Sequence, residues 1–440
     1  MHARALPGLL GLCLLGVPTA ARGDAIDDLK PGTWYEVPSS KLRGVCPPDS
    51  ASYEFSFYCK GVISAWSGAA LDTSRGRLVV WGGGHGDYKG NEVYAFDLTA
   101  LAWSRLWGPT PDAQIPSGGT HEQYDDGNPG SRHTYSGLAY LPPPTDALLS
   151  FGGSLWQSGF YGKGVWSFSF DAGKWTRKAD GAGEQGYGDP VVYDPKSGHV
   201  FRRANSRMFE YDPSADTHTP RAESNGGFWA ANVSAALDPD ARLMVIVGEK
   251  RVDLYHLDTD KYEQDVTLSG ATVLDLFGGA APGIDYDTNL KQFVLWGGGA
   301  TVYSFDPSKK AFEQHDVAGA TPNQVTASGG VFGRFRYVPT RNVFVAVNSV
   351  DESVFVLRMA PGTGTPPPIP DAGVGGAGSG GGSNSGGSNG GGSSGSGKND
   401  DGADDSGCGC SVPQGRGRWG IALVGALLAI AGARRGRRRR

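Results

Sequence analysis

Short apolar runs separated by turns recur along most of the chain. One such run follows a turn, often ends in a glycine cluster, and is repeated about 70, 52, 43, 50 and 50 residues apart. The copies begin at Gly76, Asp146, Gly198, Ala241, Lys291 and Arg341. One strand-like run precedes each copy, and most copies are followed by a strand ending in aspartate and then by one marked by tryptophan or phenylalanine. Four short strands per unit of about 50 residues predict the blades of a β-propeller.

The pattern predicts about six blades in a propeller over residues 24–360, with seven as the alternative. Residues 33–38 look like the outer strand of a blade that has no preceding strands, whereas residues 332–359 supply only three strands. We therefore expect the N-terminal strand to complete the last blade and close the ring. Such closure also covers two sheet edges that would otherwise invite aggregation.

Both ends of the chain have the composition of targeting segments. Residues 1–23 contain Arg4, an apolar run at 9–17 and small residues at 19–21, which predicts a secretory signal peptide that includes Cys13. Residues 361–407 are rich in Pro, Gly, Ser and Asn and predict a flexible, disordered linker. Residues 408–440 hold Cys408 and Cys410, an apolar helix at 419–433 and an arginine-rich end.

This order of parts resembles the myxobacterial C-terminal sorting tag, MYXO-CTERM. The resemblance implies cleavage near Cys408 or Cys410 and retention at the outer surface, with the membrane contacted through the tag only. A plain single-pass anchor is the alternative. We therefore expect an exported protein of the cell envelope.

Export decides how the cysteines of the body are expected to behave. Outside the two ends only Cys46 and Cys59 remain, and in an oxidising compartment we expect them to form a disulfide that contributes on the order of 3 kcal/mol to stability.

Residues 24–410 carry 30 basic and 45 acidic side chains, a net charge of −15. An acidic body argues against nucleic acid as a partner, because phosphate binding needs a basic face.

The glycine clusters at 82–84, 152–153 and 297–299, with a downstream tyrosine or tryptophan, resemble those of kelch and galactose-oxidase-type propellers. The resemblance covers about residues 33–359 and implies an all-β fold, but it leaves the function open. Copper chemistry of the galactose-oxidase kind needs a cysteine crosslinked to tyrosine, and both body cysteines are expected to be paired. The sequence contains no zinc motif and no serine nucleophile elbow, so we expect no metal and no cofactor.

Candidate ligand-binding residues are the polar and aromatic side chains that the repeat itself does not require. They are His85, Asp87, Tyr88, Asn91 and Glu92 in the first glycine-rich stretch, Arg132, His133 and Tyr135 at the entry to blade 2, and the aromatic residues Trp156 and Trp229. The first two groups are expected to meet near the central channel, unless they only cap turns or tie two blades together. Exposed aromatics beside amides suit sugar rings, unless they fill gaps between blades.

These residues favour a surface-anchored module that binds a glycan or a cell-surface protein. One alternative is a carbohydrate-active enzyme, such as a sialate-mutarotase-like kelch enzyme that uses Arg132, His133 and Glu92 as acid and base. A purely structural adhesion module is another. The insertion at residues 108–130 carries His121 and several carboxylates, but their spacing is not the regular one of a calcium loop.

Overall fold

The computed structural model describes residues 22–118, 120–181, 187–226, 232–248, 251–270, 281–324 and 330–364. Nearly all of the signal segment, the linker beyond residue 364, and the C-terminal tag with Cys408, Cys410 and the apolar stretch 419–433 lie outside these residues. Trp229 lies outside them as well. Within the described ranges no helix is long and apolar enough to cross a membrane.

The described residues form short helices and 28 strands. The helices are α1 Arg22–Asp27, α2 Phe55–Tyr58 and α3 Gly61–Ser64, with 3-10 turns at Leu42–Val45, Asp112–Gln114 and Phe332–Arg334. The strands are β1 Thr33–Glu36, β2 Gly68–Asp72, β3 Arg77–Trp81, β4 Val93–Asp97, β5 Ala102–Trp107, β6 Arg132–His133, β7 Leu138–Leu141, β8 Ala147–Phe151, β9 Ser154–Leu155, β10 Gly164–Ser169, β11 Lys174–Asp180, β12 Val191–Asp194, β13 His199–Ala204, β14 Arg207–Asp212, β15 Thr217–Glu223, β16 Val233–Asp238, β17 Leu243–Gly248, β18 Arg251–His256, β19 Lys261–Glu263, β20 Ser269–Gly270, β21 Gly283–Asp287, β22 Gln292–Trp296, β23 Val302–Asp306, β24 Ala311–His315, β25 Ala318–Gly319, β26 Phe335–Val338, β27 Val343–Ala346 and β28 Phe355–Arg358.

Six antiparallel sheets form the blades of a propeller. From the first strand outward they are β2-β3-β4-β5, β7-β8-β10-β11, β12-β13-β14-β15, β16-β17-β18-β19, β21-β22-β23-β24 and β26-β27-β28-β1. The first strand of each blade contacts the first strands of its two neighbours, and β26 returns to β2, so these inner strands form a closed ring. The prediction of an all-β propeller with about six blades is confirmed.

Burial along each blade follows from this packing. The second strands are apolar almost throughout, as in β17, whose six residues are all buried, because neighbouring blades cover both of their faces. Outer strands such as β11 bury only one or two side chains. Six hydrophobic clusters fill the six interfaces between blades. At the interface of blades 1 and 2, for example, the rings of Trp81 and Trp175 lie 4.7 Å apart.

The N-terminal strand closes the ring as predicted. β1 pairs antiparallel with β28 over four residues, with Trp34 opposite Leu357. The short strand β25 runs parallel to β1 on its other side, so the edge of this last blade is also paired. The sequence pattern did not indicate β25.

The chain between β1 and β2 contains the predicted disulfide. Cys46 and Cys59 are bonded, with their Cα atoms 6.1 Å apart. Cys59 is fully buried, and it joins the cluster between blades 6 and 1 with residues of α2 and α3. The disulfide therefore fixes a loop that covers the seam where the ring closes.

Candidate functional site

The two ends of the central channel differ. We call the end at which the inner strands begin the entry mouth, and the end at which they finish the exit mouth. At the entry mouth Trp66, Tyr135, Phe332 and Ala281 form one cluster, which we call the entry plug. Each lies six residues before the end of its inner strand, in blades 1, 2, 6 and 5 respectively.

The backbone of the entry plug is unusual. Trp66, Tyr135 and Phe332 have φ angles of 47°, 47° and 52°, a left-handed conformation that is costly for large side chains. Such strain typically costs about 1–3 kcal/mol per residue and concentrates at functional sites. The rings of Tyr135 and Phe332 meet edge to face at 5.7 Å and help to close the channel at this end. The plug is therefore a feature of the fold that the sequence pattern did not single out.

Beside the plug the structure brings together four of the predicted site residues, His85, Asp87, His133 and Tyr135. His133 is buried beneath the exposed His85, with their ring centroids 4.7 Å apart. The Nε2 atom of His133 lies 3.0 Å from Asp87 Oδ2. Because a carboxylate only accepts, neutral His133 donates from Nε2 and its Nδ1 can accept from the Tyr135 hydroxyl, 3.3 Å away.

A chain of hydrogen bonds thus leads from the interior to the surface. The hydroxyls of Ser154 and Tyr135 are 3.0 Å apart, so the order is Ser154, Tyr135, His133 and Asp87. Burial, with a smaller contribution from His85, lowers the pKa of His133, whereas the hydrogen bond from His133 lowers the pKa of Asp87. Asp87 is 45% exposed, so it presents a carboxylate to solvent above a rigid support.

The loop between β9 and β10, residues 156–163, carries several aromatic side chains and lies beside His85. The amide of Gln157 donates to the carbonyl of His85 at 2.5 Å, which fixes this loop against the first glycine-rich stretch. Phe160 and Tyr161 are 61% and 40% exposed. Tyr187, also exposed, meets Tyr161 edge to face at 5.9 Å. The entry mouth therefore carries exposed rings next to imidazole and carboxylate groups.

Trp156, from the same loop, is 9% exposed, and its Nε1 has no hydrogen-bond partner among the described residues. Its ring is therefore largely buried. It is Phe160 and Tyr161 that reach solvent.

Four more of the predicted site residues that the structure describes lie inside the protein. Tyr88, Asn91 and Glu92 have no exposed area, and Tyr88 donates its hydroxyl to Glu92 Oε1. The Asn91 amide donates to Thr110 and to the carbonyl of Pro129, which attaches the insertion to blade 1. These three residues are not at the entry mouth.

Arg132 is also fully buried. Its guanidinium donates to Glu122 Oε1 at 2.9 Å, to the Glu122 carbonyl at 2.9 Å and to the carbonyls of Gly130 and Gly152 at 3.1 Å. Arg132 and its hydrogen bonds lower the pKa of Glu122 in spite of burial. The pair ties the insertion to blade 2, which is the structural alternative considered for an arginine–glutamate pair.

The insertion itself uses its polar groups locally. The carboxylate of Asp126 accepts from Thr110 at 2.6 Å and from Asn128 at 2.8 Å, and the imidazole of His121 lies against the carbonyl of Gly118. In the described part of the chain, no group of three or more His, Cys, Asp or Glu side chains could hold a metal ion.

No family model matches this chain. No curated protein matches it. The propeller architecture therefore rests on the strand pairing described above. The likeness of the glycine clusters to kelch repeats, and of the C-terminal residues to the sorting tag, remain resemblances.

The exit mouth holds a cavity that the sequence analysis did not indicate. Its volume is about 510 Å³, and all six inner strands line it. The sequence pattern assigns its lining residues only to strands, as in the sequences around Tyr140, Tyr193 and Tyr286. A tyrosine next to the last residue of the inner strand in four of six blades is the signal that could have revealed it.

Proposed function

We propose that this propeller is an exported, surface-anchored binding module that recognises a glycan at its entry mouth, with a cell-surface protein as the alternative ligand. One observation carries the proposal: exposed Phe160 and Tyr161 belong to the loop whose Gln157 amide donates to the carbonyl of His85, close in the chain to the exposed carboxylate of Asp87. Sugar rings stack an apolar face on aromatic side chains, while their hydroxyls bond to carboxylate and imidazole groups.

Export is supported by the disulfide between Cys46 and Cys59, because such bonds persist in oxidising compartments. Surface anchoring rests on the composition of the two ends of the chain. The acidic body, together with the mixed aromatic and polar character of the entry mouth, favours a neutral or weakly polar ligand over a polyanion.

The geometry favours binding over the enzyme alternative. That alternative used Arg132, His133 and Glu92 together, but Arg132 and Glu92 are fully buried away from the mouth. His133 is close to it, but its hydrogen bonds orient Asp87 and Tyr135. The group best placed to touch a ligand is Asp87, with His85 next to it.

We expect the purified full-length chain to bind a subset of glycans saturably on a glycan array. The double variant His85→Ala/His133→Ala should weaken binding at least about tenfold, since it removes one contact and the support of Asp87. Phe160→Ala/Tyr161→Ala should have a similar effect because it removes the stacking surface.

The matched control is His256→Ala/Phe57→Ala. It removes a histidine from blade 4 and the ring of Phe57 in α2, which is 54% exposed. It should bind like the parent protein. If no glycan binds, the sugar hypothesis fails, and proteins captured from the cell surface become the next test. Equal losses in all three variants would contradict the placement of the site.

A further inference from the structure

The cavity at the exit mouth is built from equivalent positions of the six blades. The residue next to the end of each inner strand is large: Leu71, Tyr140, Tyr193, Leu237, Tyr286 or Tyr337. The residue one place earlier lines the cavity too, and in four blades it is alanine or valine. Large and small apolar residues thus alternate around a space of about 510 Å³, which is within the usual range for sites that bind small molecules.

Two of the four tyrosines of the wall use their hydroxyls in hydrogen bonds within their own blades. The hydroxyl of Tyr140 donates to Asp146 at 2.9 Å, and that of Tyr337 donates to Asn342 at 2.9 Å. Their hydroxyl hydrogens are therefore used within the protein. The faces and edges of the rings remain as lining, and such surfaces favour a planar aromatic body, which can stack offset or edge to face.

Two blades depart from the small apolar pattern. Blade 5 has Asp285 and blade 6 has Arg336 where the other blades have alanine or valine. A charge at an apolar wall is costly unless it is paired. Asp285 accepts from the amides of Tyr286 and Tyr337 at 3.0 and 2.9 Å, so the backbone satisfies both of its carboxylate oxygens.

Arg336 is far less well satisfied. Its NH1 lies 4.0 Å from Asp285 Oδ2, beyond hydrogen-bond distance. Its NH2 makes one long hydrogen bond of 3.5 Å to the carbonyl of Ala69, and its Nε is buried without a hydrogen bond to any described residue. A guanidinium has five N–H donors, and the four on NH1 and NH2 make a single long hydrogen bond to the described residues, so they can serve an acceptor in the cavity.

We propose that the exit cavity binds a small aromatic acid whose ring lies among the tyrosines and whose anionic oxygens accept hydrogen bonds from Arg336. An anionic acceptor forms stronger hydrogen bonds with a guanidinium than a neutral one does, and it can engage two donors at once. This site is separate from the entry mouth, because the entry plug lies between them along the inner strands. The inference does not depend on glycan binding.

The test uses two fluorescent probes with related aromatic bodies. 1-Anilinonaphthalene-8-sulfonate carries an anionic group, whereas N-phenyl-1-naphthylamine lacks it, and both fluoresce more strongly in apolar sites. We expect the full-length chain to bind the sulfonate probe saturably, with one molecule in the cavity. Arg336→Leu should weaken that binding by roughly tenfold or more, while the uncharged probe binds as before. The variant keeps both ends of the chain, so any dye bound there is the same in the two proteins.

Three further measurements complete the test. Ala236→Met, which fills the cavity from blade 4, should weaken both probes, and His85→Ala/His133→Ala should affect neither. Naphthoate should displace the sulfonate probe at lower concentration than decanoate.

Unchanged binding of the sulfonate probe in Arg336→Leu would overturn the role of the guanidinium. Unchanged binding of both probes in Ala236→Met, with its circular dichroism like that of the parent, would overturn the cavity as the site. The reverse order of displacement would overturn the aromatic body.

Discussion

Replacing Trp34 by alanine is expected to lower the free energy of unfolding by about 3–5 kcal/mol, the range typical of large aromatic residues removed from a core. Trp34 is 1% exposed and lies in β1. Its ring is 5.6 Å from that of Trp296 and 6.4 Å from those of Phe335 and Phe355. Its Nε1 donates to the carbonyl of Ala300 at 2.8 Å.

The loss of Trp34 also has a topological consequence. β1 comes from the opposite end of the chain to β26, β27 and β28, so this blade joins the two ends of the propeller through non-covalent contacts. Trp34 joins this strand to both blade 5 and blade 6. Loss of this packing therefore also favours detachment of β1 and opening of the ring.

Denaturant unfolding followed by far-ultraviolet circular dichroism measures the loss. Trp34→Phe should retain most of the stability, and Phe57→Ala should stay within about 0.5 kcal/mol of the parent because that ring is largely exposed. Hydrogen exchange should show the amides of β28 losing protection first in Trp34→Ala. A loss below 1 kcal/mol with unchanged protection of β28 would mean that β1 is not needed for closure.

This closure could be predicted because it depends on local pattern. A tryptophan-marked strand at 33–36 with no partner nearby, and a last blade with three strands, each stand out in the sequence. The disulfide could be predicted for the same reason, since only two cysteines remain once the ends are set aside. The paired β25 could not, because two residues carry no periodicity.

The sites were less predictable, since side-chain direction at a mouth is decided by distant parts of the chain. His133 and Asp87 are 46 residues apart, and the prediction that their two stretches meet near the channel could not say which side chains would be in contact. The sequence analysis predicts Asn91 and Glu92 as ligand-binding residues, yet the insertion covers Asn91, and Glu92 is buried beside Tyr88 and Tyr94. The exit cavity was missed because each of its apolar residues is indistinguishable from core within its own blade.

Glu92 gives the second large effect, which depends on pH. The residue precedes β4, has no exposed area, and accepts a hydrogen bond from Tyr88 through Oε1, while Oε2 makes none to the described residues. Burial raises the pKa of this carboxyl to about 7 from an ordinary value of 4.5. The native protein therefore keeps a proton on Glu92 that the unfolded chain has already lost.

The sign follows from that difference. Between pH 4.5 and 7 the native state holds one proton more than the unfolded state, so the free energy of unfolding falls as pH rises. The fall amounts to about 3 kcal/mol and is complete just above pH 7. Below pH 4.5 both states are protonated, so through this group the free energy of unfolding is at its highest and no longer changes with pH.

The free energy of unfolding of Glu92→Gln minus that of the parent should therefore be larger at pH 8 than at pH 5, by roughly 2.5 kcal/mol. Glutamine resembles the neutral acid and does not titrate. The quantity to compare is the difference between variant and parent at each pH. Burial lowers the pKa of His133, and that of His218 to about 4, so both histidines give the parent an opposing rise in stability with pH.

Glu122→Gln is the matched control, because Arg132 lowers the pKa of Glu122 and keeps it charged in both states over this range. Its difference from the parent should be large but constant from pH 5 to 8, as expected when one partner of a buried ion pair is removed. A difference for Glu92→Gln that is equally constant would mean that Glu92 is ionised in the native protein. The charge of Arg105, which acts on this carboxyl, would then outweigh the effect of burial on its pKa.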